Sequence, residues 1–187
     1  MKQQEIIAIM ALEGKYVVPY RDGVACEGHL NLANTNIKQL PDNLVIGGNL
    51  NVDRSVIETL PNNLVVLGSL FAYSSGYLLG LPRNLTVCGM IMYRPEPLKK
   101  FPKRLFVGES LHIQRTCLNK HNNIRSDAVI GGSVYYEDCS IASPPDVKEF
   151  AKMNVANLIH INRDIISHDL AADYDFKHLG EFKYVIT

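Results

Sequence analysis

The chain's length, composition and charge exclude several classes of protein. Its 187 residues are 47% hydrophobic and 20% charged, which is typical of one globular domain with a core and excludes a disordered chain. Nineteen Lys and Arg residues balance nineteen Asp and Glu residues. This neutrality gives no electrostatic reason to expect binding to nucleic acid or to an anionic membrane, and it argues against an acidic mimic of nucleic acid.

The absence of a recognisable targeting signal and the spacing of the cysteines predict a cytoplasmic location. The N-terminal apolar run is too short for a signal peptide, and no stretch reaches the roughly 18 uncharged apolar residues of a membrane span. The four cysteines, Cys26, Cys88, Cys117 and Cys139, form no CxxC pair. We therefore expect free thiols in a reducing compartment.

The N-terminal segment, residues 1–19, is predicted to be a capping helix. Residues 2–13 contain the apolar cluster Ile6, Ile7, Ile9, Met10 and Leu12 before Gly14. A solenoid needs such a cap, because its terminal coil otherwise exposes its core and its strand edges.

A repeat of about twenty residues occupies residues 20–140. Leu40-Pro41, Leu60-Pro61, Leu81-Pro82 and Phe101-Pro102 recur at steps of 20, 21 and 20 residues, and each begins a matching segment, as in LPDNLVIGGNLNV and LPNNLVVLGSLFA. Degenerate copies begin at Tyr20 and Ile124. About six coils therefore span Tyr20 to Cys139.

The residue order within one coil predicts two short strands. Leu44 and Ile46 alternate with Val45, and Leu50 and Val52 alternate with Asn51, which is the period of a strand. Gly47-Gly48 permits a bend between the strands, and Pro41 marks a corner. Stacked coils bury the inward residues as ladders. We predict an α+β, mainly β fold, a short parallel β-solenoid resembling a leucine-rich repeat.

The repeat ends before Pro144, and residues 141–187 are predicted to form a helical segment that packs on the solenoid or extends from it. Pro145 lies near the predicted helix start. His160, Asp164 and His168 stand at i, i+4 and i+8, so a helix would place them on one face. The HExxH motif is absent, so a solvated face or a capping network is favoured over a metal site.

The LPxNLxVxGxLxV pattern resembles the LP-containing leucine-rich-type repeats of bacteriophage proteins and bacterial effectors. The resemblance covers about residues 20–139. It implies binding through a repeat face, carries no catalytic residue, and suggests a phage origin. The glycine between Leu44 and Leu50 departs from the effector pattern and is closer to the phage version.

Outward positions on the second strand of each coil suggest a recognition surface. One column runs through Asn31, Asn51, Phe71, Met92, His112 and Tyr135, and the next through Ala33, Asp53, Tyr73, Arg94, Gln114 and Glu137. Large outward side chains, with Tyr and Arg among them, are typical of interfaces. We predict partner binding by Phe71, Tyr73, Met92, Arg94, His112 and Tyr135. The alternative is that these residues lie under the C-terminal segment or serve packing between coils.

Outward positions on the first strand are nearly all apolar, whereas a strand that faces water alternates with polar residues. They are Ala25, Val45, Val65, Thr86, Phe106 and Val129. A covering element is expected there, either the C-terminal segment, a second copy or another partner. Val45, Val65, Phe106 and Val129 are therefore the candidate residues for self-association and a homodimer.

The sequence favours a non-enzymatic protein–protein interaction module, for which the phage resemblance suggests an inhibitor of a host protein or defence complex. A structural or self-assembling protein is the first alternative. An enzyme with its chemistry in the C-terminal segment is the second. No motif for a nucleophile, phosphate loop, metal or cofactor is found, so no catalytic residue, metal or cofactor is predicted.

Overall fold

A computed structural model shows a mainly β protein whose parallel sheets form a β-solenoid. The structure describes residues 3–12, 14–73, 77–94, 101–114, 117–118, 127–137, 140–141, 154–155, 159–161 and 184–186. Each coil of the repeat contributes one strand to each of two sheets. Five full turns separate the first strand of the coil at Gly23 from the first strand of the coil at Val129.

Most elements are strands of two to four residues. The described helix α1 spans Gln3–Leu12. The strands as far as the fourth repeat coil are β1 Val18–Tyr20, β2 Gly23–Cys26, β3 Leu30–Asn31, β4 Val45–Ile46, β5 Leu50–Asn51, β6 Val65–Val66, β7 Leu70–Ala72, β8 Thr86–Val87 and β9 Ile91–Tyr93. The later strands are β10 Phe106–Val107, β11 Leu111–Gln114, β12 Cys117–Leu118, β13 Val129–Ile130, β14 Val134–Glu137, β15 Ser140–Ile141, β16 Asn154–Val155, β17 Ile159–Ile161 and β18 Tyr184–Ile186.

Two eight-stranded sheets run along the solenoid. The first sheet has the order β1-β2-β4-β6-β8-β10-β13-β16, and the second has the order β18-β17-β14-β11-β9-β7-β5-β3. Neighbouring strands pair in parallel, except that β1 lies antiparallel to β2. Strands β12 and β15 form a small separate pair. Two strands per coil in two sheets explain why the sequence shows period-two alternation on both sides of the glycines.

The core is a stack of aliphatic ladders between the two sheets, which confirms the predicted inward positions. The residues that directly precede the first strands form one ladder, which consists of Leu44, Leu64, Leu85 and Leu105. The first residues of the second strands form another, which consists of Leu50, Leu70, Ile91 and Leu111. All eight side chains are at most 1% exposed. Truncating one such side chain to alanine typically costs about 2–5 kcal/mol.

At Gly47 and Gly108 the approach of the neighbouring coil leaves no room for a side chain, and neither glycine has a positive φ. A Cβ on Gly47 would collide with the carbonyl oxygen of Glu27 in the preceding coil, and a Cβ on Gly108 would collide with that of Cys88. The amide of Gly108 donates to the carbonyl of Val87 over 2.8 Å. A side chain here would therefore separate the coils and break their hydrogen bonds.

An asparagine ladder connects the corners of three consecutive repeat coils. Asn43, Asn63 and Asn84 have φ of 59°, 57° and 55°, a region that asparagine tolerates better than most residues. Their side-chain amides point along the solenoid. The Asn84 amide donates to Oδ1 of Asn63 over 2.7 Å, the Asn63 amide to Oδ1 of Asn43 over 2.7 Å, and the Asn43 amide to Asp22 over 2.9 Å.

A second polar row follows the glycine bends. The amide of Asn49 donates to Nδ1 of His29, that of Ser69 donates to Oδ1 of Asn49, and that of Met90 donates to the hydroxyl of Ser69. Each side chain thus satisfies a backbone donor of the next coil. The corner row uses asparagine in three successive coils, whereas the row at the glycine bends accepts the same bond with a histidine, an asparagine and a serine.

The terminal segments differ from each other. Helix α1 contacts β2, and its Met10 is 1% exposed and belongs to the same core cluster as Val24. The described residues of segment 141–187 lie in strands, so the helical prediction is wrong at 154–155, 159–161 and 184–186. Ile159, His160 and Ile161 alternate as a strand does and pair with Val134, Tyr135 and Tyr136 of β14. Pairing with an existing sheet edge satisfies their backbone groups.

We expect Gly108→Ala to lower the free energy of unfolding by about 1–3 kcal/mol, because its methyl group would overlap the backbone of Cys88. Gly28→Ala is the matched control, since no atom lies within 4 Å of a Cβ there. Urea denaturation followed by circular dichroism measures both. Equal effects of the two substitutions would contradict the proposed role of close coil approach.

We expect Asn63→Ala to lower the free energy of unfolding by about 1–3 kcal/mol, because it loses two side-chain hydrogen bonds and places alanine at positive φ. Asn63→Gly should lose less, since glycine accepts that φ without strain. Asn62→Ala, at the exposed neighbouring position, is the control and should be close to neutral in the same denaturation experiment. A neutral Asn63→Ala would show that the ladder does not stabilise the corner.

Candidate protein interface on the second sheet

The outward column on the second sheet changes from asparagine to large side chains, three of which carry aromatic rings. Phe71, Met92, His112 and Tyr135 are paired in register on consecutive strands, and each is half-buried. We call these four residues the aromatic ladder. Parallel pairing sets neighbouring members about 4.8 Å apart along the solenoid. The structure thus brings together four of the six residues that the sequence predicts for partner binding.

Two members of the aromatic ladder form a stack. The rings of His112 and Tyr135 lie with centroids 4.4 Å apart and planes inclined by 10°. A stacked aromatic pair contributes about 0.5–1.5 kcal/mol beyond its area burial. The stack therefore favours this orientation of both rings.

The remaining two predicted residues, Tyr73 and Arg94, lie together in the adjacent column. The guanidinium carbon of Arg94 is 4.5 Å from the centroid of the Tyr73 ring, which is a cation–π geometry. The backbone amide of Tyr73 donates to Oδ1 of Asp53, and that of Arg94 donates to the carbonyl of Ala72 over 3.1 Å. These bonds hold the backbone of both residues.

The column that contains the aromatic ladder begins with two asparagines, whose side chains hydrogen-bond within their own coils. Oδ1 of Asn31 accepts the amide of Ala33 over 3.0 Å, and Oδ1 of Asn51 accepts the amide of Asp53 over 2.9 Å. These side chains close local turns, as asparagine commonly does. The large side chains of the column begin only at Phe71.

The inward neighbours of the ladder give it an apolar backing. Ala72, Tyr93, Ile113 and Tyr136 alternate with the ladder and are at most 1% exposed. Burial raises the pKa of the Tyr93 phenol above its ordinary value, and its hydroxyl donates to the carbonyl of Leu78 over 3.5 Å. Tyr93 is therefore a neutral core residue and not an acid or base of the surface.

The outward residues of the first sheet divide into two groups. Val45 and Val65 are half-buried, whereas Phe106 is 41% exposed and Val129 is 38% exposed. Phe106 and Val129 are register partners and line a shallow cavity of about 370 Å³ with Arg104 and Asp127. The exposed apolar part of this sheet thus lies towards its C-terminal coils.

Sequence reasoning missed the strand that contains His160, which extends the second sheet. The structure pairs His160 in register with Tyr135 and Val185, so this residue continues the column of the aromatic ladder. The pattern Ile159-His160-Ile161 matches Leu111-His112-Ile113 and could have indicated a strand. Because His160 lies in a strand, the helical face proposed for His160, Asp164 and His168 does not form at His160. Asp164 and His168 lie outside the described residues.

Among the residues that the structure describes, no group of three or more His, Cys, Asp or Glu residues could hold a metal ion, and no helix has the length and apolar character to cross a membrane. Cys88 is exposed and Cys26 is buried, and both are free thiols.

Comparison with protein-family models, curated proteins and solved structures gave no match. The similarity to LP-containing repeats therefore stays a prediction from the residues.

Proposed function

We propose that the protein is a non-enzymatic interaction module that binds another protein through the aromatic ladder and the Tyr73–Arg94 pair. The observation that supports this is the collection of six large side chains, from consecutive coils, on one surface of the second sheet. Tyrosine and arginine are enriched at binding hot spots, and methionine adapts to irregular partner surfaces.

The rigidity of this surface favours binding. Each ladder residue lies on a strand held by backbone hydrogen bonds to both neighbouring coils, and the His112–Tyr135 stack and the Arg94–Tyr73 contact limit side-chain motion. A surface ordered before binding loses less conformational entropy when a partner docks.

The resemblance to phage repeats supports a narrower hypothesis about the partner. We propose a cytoplasmic protein, encoded by a phage, that inhibits a host protein or a defence complex by covering its functional surface. Helix α1 is proposed to cap the N-terminal coil, since Met10 joins the core there.

A photo-crosslinking amino acid at Met92 tests the proposed surface. In a lysate of the source organism, it should form one stoichiometric adduct with another protein, which mass spectrometry identifies. The matched control carries the crosslinker at Thr86, an outward residue of the same coil on the first sheet. Arg94→Ala should then raise the Kd of the identified complex by at least about 10-fold, whereas Lys38→Ala, at an exposed return segment, should not.

Adducts at Thr86 but not at Met92, or an Arg94→Ala variant that binds as tightly as the wild type, would contradict this assignment. Circular dichroism of each variant confirms that the solenoid is folded before binding is compared.

A self-assembling protein is the second candidate function, and it is supported by the exposed Phe106 and Val129 on the first sheet. They lie in one column with Val45 and Val65, interrupted by Thr86, and a second copy could cover this column. Apolar area that becomes buried contributes about 25 cal/mol per Å² before the costs of association.

The double variant Phe106→Glu, Val129→Lys tests this second candidate. The two residues are register partners, so the opposite charges pair across the strands and limit the effect on folding. If the first sheet mediates assembly, sedimentation velocity should show large species for the wild type and monomers for the variant. Tyr77→Glu, at a residue 60% exposed elsewhere, is the control. Unchanged sedimentation of the double variant would exclude this face.

A further inference from the structure

The residue that follows each corner proline forms a column with an ordered charge pattern. This corner column consists of Asp22 and Asp42, then Asn62, then Arg83 and Lys103, and all five residues are exposed. Asp22 precedes the first repeat proline but occupies the equivalent position of its coil. One end of the column is therefore acidic, its centre is neutral and its other end is basic.

Backbone hydrogen bonds hold the corner column in place. The amides of Asn43, Asn63 and Asn84 donate to the carbonyls of Asn62, Arg83 and Lys103 over 3.0, 3.1 and 3.0 Å respectively. Oδ1 of Asp42 also accepts the amide of Asn62 over 2.8 Å. The order of charges is thus fixed by the fold, with steps of about 4.8 Å between coils.

A groove runs beside the middle of this column. Its volume is about 550 Å³, and its lining combines Asp42, Asn62 and Arg83 with the apolar residues Pro61, Pro82 and Leu79. Leu79 is 62% exposed, so its side chain adds apolar surface to the groove. The groove therefore offers apolar contact area flanked by charges of both signs.

We propose that a second copy of this chain binds antiparallel along the corner column, with Asp42 of each copy against Arg83 of the other. A two-fold axis through Asn62 reverses the column, so the acidic end of one copy meets the basic end of its partner. Such an isologous contact requires a self-complementary surface. Asp22 then faces Lys103, and Leu79 enters the apolar part of the interface.

Charge complementarity identifies the second copy as the occupant. A partner of one charge sign would match only half of the corner column and would be repelled by the other half. Lys38 and Glu58 lie on the return segments, outside the corner column. The surface is also distinct from the aromatic ladder, so this inference does not depend on the proposed partner binding.

Charge reversal at the two central positions tests the proposal in the full chain. Sedimentation velocity at low salt should show a dimer for the wild type, whose Kd rises with salt concentration. Asp42→Arg and Arg83→Asp should each raise the Kd by at least about 10-fold, because like charges then face each other. The control Glu109→Arg, at an exposed glycine bend, should leave the Kd unchanged.

Two combinations should restore association. An equimolar mixture of Asp42→Arg with Arg83→Asp should form a heterodimer, since every facing pair is again of opposite sign. The double variant that carries both reversals should form a homodimer with nearly the wild-type Kd. If a reversal variant does not fold, Asp42→Asn replaces it, because its Oδ1 can still accept the amide of Asn62, and it should weaken the dimer by about 10-fold.

A monomeric wild type at millimolar concentration would overturn the proposal. A dimer whose Kd is insensitive to both reversals would also overturn it and would favour an interface on the first sheet. Folded single variants that remain monomeric after mixing would show that Asp42 and Arg83 do not face each other, and would overturn the antiparallel arrangement.

Discussion

The hydrogen bonding between the backbones of successive coils is the constraint on which the rest of this structure depends. At the glycine bends the amide of Gly47 donates to the carbonyl of Cys26 over 2.7 Å, and that of Gly131 donates to Val107 over 2.8 Å. Coils this close leave no room for a Cβ at Gly47, Gly108 or Gly131. Since no coil can bury its own apolar edge, stability accumulates only as coils stack at this spacing.

Because the coils stack at one fixed spacing, equivalent positions of successive coils form columns. Polar side chains hydrogen-bond to one another along these columns. The asparagine ladder at the corners joins Asp22 to Asn84 through Asn43 and Asn63. Such a ladder needs a short amide at positive φ in consecutive coils, because each side chain both donates and accepts. The repeat is therefore conserved within the chain at polar as well as apolar positions.

The same geometry gives each outward column its own character. The column on the second sheet presents Phe71, Met92, His112 and Tyr135, and the corner column presents acidic and then basic residues. Neither property follows from net charge or composition, which are neutral and ordinary. Both surfaces lie on backbone that is held by hydrogen bonds to neighbouring coils.

The sequence by itself determined the repeat, the paired short strands and the inward ladders, because hydrophobic alternation with a twenty-residue period leaves few other ways to bury Leu44, Leu64 and Leu85. It also identified the column of Phe71, Met92 and His112, since that register follows from aligning the repeats. The tertiary structure decided the rest. The glycine requirement and the asparagine ladder arise from contacts between residues about twenty positions apart. Likewise, Ile159–Ile161 form a strand because β14 offers an edge for pairing, a partner that the local pattern, with its helix-like neighbours, does not reveal.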